Sequence, residues 1–201
     1  MRILARSRQK TTSLVQLALL TALVIVFQLL GQFVPVGVTK VSLVLLPITL
    51  GGILLGPWSG AVLGFIFGAI VVVVGGAFGT DPFTSTLFQA QPFATTAICL
   101  VKGTAAGLCG GLVYRLVARW KQFPAVFAAA AIVPIVNTVL FILGGLFLVQ
   151  DTLSAEFVAS GSTVFYFLTI VCAGWNFIFE FLLNIILAPS LDRIIFAAKK
   201  L

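Results

Sequence analysis

From Thr11 to Gln32, and again from Val41 to Gly79, the chain carries no charged side chain. An uncharged apolar run of about 20 residues matches the hydrocarbon thickness of a bilayer. Inside lipid every backbone N–H and C=O must find its partner within the protein, so such runs fold as helices. Composition agrees: apolar residues make up 61% of the chain and charged residues 8%, with a mean hydropathy of +1.22, against roughly 25% charged in soluble proteins. Too few polar groups are present to cover a water-soluble fold of 201 residues. The same arithmetic excludes disorder, a disulfide scaffold and a secreted enzyme.

Breaks in the apolar pattern predict six helices in one membrane domain covering 1–201, at approximately 11–32, 41–55, 58–76, 93–117, 124–149 and 163–187. Gly56-Pro57 separates the second from the third, because a helix ends before Pro and Pro suits the first turn of the next. The second helix rises only about 22 Å, short of a roughly 30 Å core, so it is either extended at one end or shielded by neighbours. Pro134 is expected to kink the fifth helix and Pro189 to close the sixth. Gly75–Pro92, rich in Gly, Pro, hydroxyls and amides, reads as a long loop, either a lid or a passive connector. The first run is longer than a signal-peptide core and no A-x-A site follows it, so it is expected to be retained.

The net charge is +7. Its placement speaks for topology and against nucleic acid. Six helices put both termini on one face. That face takes Arg2, Arg6, Arg8, Lys10, Arg115, Arg119, Lys121, Arg193, Lys199 and Lys200, ten of the twelve cations, with one acid, Asp192. The other face takes Lys40, Asp81, Asp151 and Glu156. By the positive-inside rule both termini are cytoplasmic. The fold class is an all-α integral membrane protein, a six-transmembrane-helix bundle.

Two ionisable residues, Lys102 and Glu180, fall inside spans, where a charge is costly and functional by default. Lys102 lies thirteen residues before Arg115 and Glu180 thirteen before Arg193, on helices running the same way. The two therefore share a depth and could pair. Asn176, Glu180 and Asn184 recur at helical spacing on one face. Asn137, sixteen residues beyond Lys121, reaches the depth of Asn176. Gln28, Gln91, Thr95 and Thr96 lie further outward, with Tyr166, Trp175 and phenylalanines as walls and Lys40 at the outer mouth. Together they form a candidate polar pocket among helices one, four, five and six, suited to a small anion with hydroxyl and amide groups. The competing reading is a structural Lys102–Glu180 bridge braced by interhelical amides.

Gly56, Gly60, Gly64 and Gly68, and again Gly103, Gly107 and Gly111, recur every fourth residue. Smooth faces of this kind let helices in lipid approach closely. Packing within the protein is the plainer reading and an external partner helix the sharper one. Cys99, Cys109 and Cys172 lie in apolar segments without C-x-x-C spacing, as small buried hydrophobes and not a metal site. The chain has no histidine, which removes Ser-His-Asp and Cys-His catalysis. It has no GxxxxGK[ST] loop for ATP and no GxSxG elbow. An enzyme is not expected, and this chain itself is expected to hold no cofactor.

The whole chain resembles the substrate-binding (S) component of energy-coupling factor (ECF) vitamin transporters. The likeness rests on six helices with both termini inside, Ala18 and Ala22 (AxxxA) near the inner end of helix one, the Gly56–Gly60 GPWSG turn with its glycine stripe, and the long 3–4 loop. The resemblance implies capture of a vitamin from outside a bacterial plasma membrane, with the outer loops closing over it. It implies docking through Ala18 and Ala22, and less directly through Gly56–Gly68, onto a transmembrane coupling (T) subunit that carries two cytoplasmic ATPase subunits. ATP would then be bound by those separate chains. The overall look is nearest to pantothenate-type members, with Lys40, Gln91, Lys102, Asn137, Tyr166, Asn176 and Glu180 as candidate substrate-binding residues. Riboflavin, folate, pyridoxine and hydroxymethylpyrimidine remain alternatives. So does a stand-alone secondary transporter, although the inverted repeats common in that class are not visible.

The orientation makes a direct prediction. In intact cells, cysteines placed at Ser85 or Ser154 are expected to react with an impermeant thiol reagent, and one placed at Gln122 is not. Labelling of Gln122→Cys from outside would reverse the topology.

Overall fold

A computed structural model describes residues 2–31, 33, 35–36, 39–40, 43–158 and 162–198, without the side chains of 2–10, 35–36, 39–40 and 198. The first helix, α1 (Arg2–Gly31), is followed by a two-residue antiparallel hairpin, β1 (Pro35–Val36) with β2 (Thr39–Lys40). Next come α2 (Leu45–Leu54) and α3 (Pro57–Ile70), the latter continuing into a π-helical segment at Val71–Ala77. Gly56 makes the turn between α2 and α3 at φ 101°, a left-handed value that suits only glycine. Pro57 then starts α3 with the φ a helix needs.

Four helices among the described residues are long and apolar enough to cross a membrane: Thr11–Gly31, Pro57–Ala77, α5 (Pro92–Val117) and α6 (Gln122–Leu148). A fifth span is broken. It comprises α8 (Val164–Tyr166) with a π-helical continuation at Phe167–Cys172, then α9 (Gly174–Ala198), with a 41° bend between the two parts. The expected second span is corrected to α2, whose ten residues rise about 15 Å, half a hydrocarbon core. It is shielded and not extended. It packs against α1, α3, α5, α6 and α9, and Leu45, Ile48, Thr49, Gly51, Gly52 and Ile53 are all buried.

Three further expectations change. The supposed loop 75–92 contains a helix, α4 (Pro82–Ala90). A short helix, α7 (Gln150–Glu156), follows α6. Pro189 does not end the last helix, which runs on to Ala198 because Ala188, Leu191 and Ile195 are buried in a cluster with Ile53, Tyr114 and α6 alanines. Ser85 proves buried, with its hydroxyl accepting a hydrogen bond from Gln89, so exposed Ser154 is the sound labelling position of the two.

The central contact joins α3 to α5 in antiparallel register. A Cβ at Gly60 or Gly107 would collide with the backbone of the other, as would one at Gly64 or Gly103, and one at Gly68 would strike the Cys99 carbonyl. Both glycine stripes are thus consumed inside the protein, which withdraws Gly60–Gly68 as a face for an external partner. Gly64→Val or Gly107→Val is expected to cost about 1–3 kcal/mol or more from overpacking against backbone. Val101→Ile, on an exposed position, is expected to change stability by less than about 0.5 kcal/mol. Thermal unfolding in detergent measures both.

Candidate functional site

A cavity of about 690 Å³, its open mouth included, lies among α1, α3 with its π-helical extension, α4, α5, α6 and the start of α9. α1 contributes Gln28, α5 Lys102, α6 Asn137 and Thr138, and α9 Asn176 and Glu180. All but Thr138 come from the depth and periodicity pattern read in the sequence, which does not single out Thr138. α3 and its π-helical extension add Phe67, Val71 and Gly75, and the α4 end adds Asp81, Phe83 and Thr84. The bend at Cys172–Gly174 has a local cause. Ala173 N–H bonds five residues back to the Leu168 carbonyl at 2.9 Å, and a π-helical turn beside a glycine is a recognised kink. It carries Cys172, Ala173 and Asn176 onto the cavity wall.

Among the described residues, three charged side chains line the cavity: Lys102, Asp81 and Glu180. Glu180 is 1% exposed. The Lys102 ammonium lies 5.1 Å from the Phe141 ring centroid and 6.0 Å from that of Phe67, so both ring faces attract it. Asp81 Oδ2 accepts a hydrogen bond from Thr84 Oγ1. Asp81 Oδ1, Asn137 Oδ1 and Asn176 Oδ1 are buried with no hydrogen-bond partner among the described residues. A buried acceptor left unpaired costs about 1–3 kcal/mol, which a donor on a bound molecule would recover.

A second chamber of about 380 Å³ adjoins the first and shares Phe83, Thr84, Lys102 and Phe141 with it. Its other walls are mainly apolar: Leu87, Ile98, Leu153 and Leu168, with Thr95. Thr95 Oγ1 is buried there without a partner among the described residues. Above both chambers sits an aromatic roof. The Phe83 ring centroid is 5.1 Å from Phe157, 6.1 Å from Phe141 and 6.3 Å from Phe167. Gln91 Nε2 donates to Thr152 Oγ1 at 3.1 Å, which ties the α4–α5 junction to α7.

The remaining candidates lie elsewhere. Gln91 belongs to that roof tie and is not among the cavity-lining residues. Tyr166 is 52% exposed and Trp175 66% exposed, and neither lines the cavity. Thr96 lines neither chamber. The Lys40 side chain lies outside the described residues. Asn184 sits below the site, where its Nδ2 donates to the Glu180 carbonyl and it neighbours Thr49. Ala18 and Ala22 are exposed on α1, while Leu20, Val24 and Gln28 turn inward.

Asp81 escaped the sequence reading because the stretch around it reads as a loop. Asp81-Pro82 is nevertheless a helix-start pattern, with Asp at the N-cap and Pro at the first helical position. Phe83 and Leu87, four apart, supply the buried face.

No curated protein matches the chain. A family model does, that of the ECF transporter substrate-specific component, over residues 12–191. Its members are subunits of transporters and not enzymes, and multi-pass helices around a polar cavity suit that role. The match covers nearly every described element from α1 to α9, and the chain belongs to the family of ECF transporter substrate-specific components.

Proposed function

We propose that this chain captures a water-soluble vitamin, pantothenate first among the candidates, for an ATP-driven importer in a bacterial plasma membrane. The observation that carries this reading is the cavity itself: one ammonium, Lys102, and buried unpaired acceptors at membrane depth. Pantothenate offers a carboxylate for Lys102, an amide N–H and two hydroxyls for the acceptors, and two geminal methyl groups that suit the apolar second chamber. One cation among the described lining residues, and no arginine fork, also argue against a dianionic ligand such as folate.

A second reading has its own support. Two carboxylates, Asp81 and Glu180, face the cavity beside one described cation. That balance suits a nitrogen heterocycle with hydroxymethyl donors, such as pyridoxine or hydroxymethylpyrimidine, seated between Phe67, Phe83 and Phe141.

The termini face the cytoplasm in this reading. Arg115, Arg119 and Lys121 flank the α5–α6 turn, and Gln122 Nε2 donates to Asp192 beside Arg193 at 2.9 Å. Trp58 and Trp120 are exposed near the same end, as residues at a membrane interface are. Exposed Ala18 and Ala22 give α1 a small-residue face for the coupling subunit, which carries two ATPase subunits.

Thermal-shift measurements on the purified protein with a vitamin panel test the ligand: pantothenate is expected to stabilise it, and no shift with pantothenate removes that assignment. Lys102→Met is expected to weaken pantothenate binding at least tenfold, the loss of a charge-assisted hydrogen bond worth about 1.5–3 kcal/mol. Ala18→Leu or Ala22→Leu is expected to leave ligand binding intact while uptake and co-purification with the coupling subunit fail. Intact complex in both variants would remove the docking face. Uptake in a host without coupling and ATPase subunits would favour a stand-alone transporter.

A further inference from the structure

We propose that Asp81 is a substrate-binding residue whose carboxylate accepts a hydrogen bond from an O–H or N–H of the ligand. The proposal rests on the reading of the cavity as the vitamin site. Asp81 occupies the N-cap of α4, where an aspartate ordinarily accepts a hydrogen bond from a backbone N–H of the first turn. Here it makes no side-chain cap bond. Asp81 instead lines the cavity together with Thr84. Thr84 Oγ1 engages Oδ2 and leaves Oδ1 buried without a partner among the described residues.

The position is held from the backbone. Asp81 N–H donates to the Gly75 carbonyl at 3.3 Å, and its carbonyl accepts from Ser85 N–H at 2.8 Å. The side chain is therefore fixed at both ends while one oxygen remains unsatisfied. Asn137, 6% exposed, presents a second unpaired acceptor from α6. An ionised carboxylate can only accept, so a ligand group made solely of acceptors is repelled at Asp81. The fitting ligand carries at least two separated donors, hydroxyl, amide or protonated nitrogen, and directs one of them to the α4 end of the site. Any anionic group it carries belongs beside Lys102. Asp81 thereby selects the orientation of the ligand as well as its class.

The test uses the full chain in detergent or nanodiscs, comparing wild type, Asp81→Asn and, as control, Asp151→Asn, which is exposed and outside the cavity. The probes are pantothenate and two analogues, each lacking one of its hydroxyls. Asp81→Asn is expected to bind pantothenate about 10–100-fold more weakly, with an unliganded melting temperature equal to or above that of wild type. Removal of the hydroxyl that meets Asp81 is expected to cost wild type a similar factor and Asp81→Asn almost nothing.

Wild-type affinity in Asp81→Asn overturns the proposal. So does a fall in unliganded melting temperature with an affinity loss equal for all three compounds, which marks Asp81 as structural. If wild type ignores pantothenate and binds pyridoxine, hydroxymethylpyrimidine, riboflavin or folate, the pantothenate assignment falls. Asp81 is then judged on that vitamin by the same tenfold criterion. If no member of the panel binds, the site and Asp81 fall together.

Discussion

The backbone contact between α3 and α5 is the constraint on which the rest depends. Residues 60, 64 and 68 of one helix face 107, 103 and 99 of the other, and no side chain intervenes. In lipid, where apolar burial gives helices no reason to associate, such close packing is one of the few sources of attraction. It also fixes register. Phe67 and Lys102 both adjoin these crossing points, so the glycine contact sets the 6.0 Å placement of the ammonium beside the ring. α6 packs on the far side of α5, α9 packs on α6, and the short α2 is enclosed by the group.

Polar groups inside this frame divide by surroundings. Thr49 and Asn184 are engaged with helix carbonyls, Thr49 Oγ1 donating to Leu45 at 2.7 Å, and they brace α2 and α9. Asp81, Asn137 and Asn176, which line the cavity, each keep an acceptor without a partner among the described residues. A bundle meant only to hold together gains nothing from such groups, because apolar replacements of equal shape are no less stable. Their cost makes sense when a ligand supplies the missing donors. The aromatic roof differs again: it consists of ring contacts and one amide–hydroxyl bond, and it brings together α4, α6, the chain after α7 and the π-helical segment below α8.

Much of the site was legible because depth can be counted along a helix. Equal distances from Arg115 and Arg193 put Lys102 and Glu180 at one level, and four-residue spacing aligned Asn176 with Glu180. Both members of each alignment line the cavity. Periodicity also exposed the glycine faces, although which face met which required the three-dimensional register. What stayed hidden depended on local departures from the α-helix. The π-helical turns at Val71–Ala77 and Phe167–Cys172 leave no spacing signal, and the bend that follows the second separates Tyr166 from the wall that Asn176 joins. α4 was hidden by its polar composition, since Thr84 in the cavity wall and buried Ser85 look like a loop when read as facing water.

The unbroken run of α9 past Pro189 has a mechanical consequence. The helix starts at the Cys172–Gly174 bend, and its 25 residues extend about 37 Å from it. Asn176 sits within the first turn and the Asp192 end lies far out. A tilt of about 5° moves the tip by roughly 3 Å and Asn176 by only a few tenths of an ångström, by the rise per residue of a rigid helix. Because Ala188, Leu191 and Ile195 are packed against α2, α5 and α6, such a tilt requires that cluster to move with the helix. The geometry of α9 therefore couples a small change at Asn176 in the cavity wall to a displacement several times larger near Asp192.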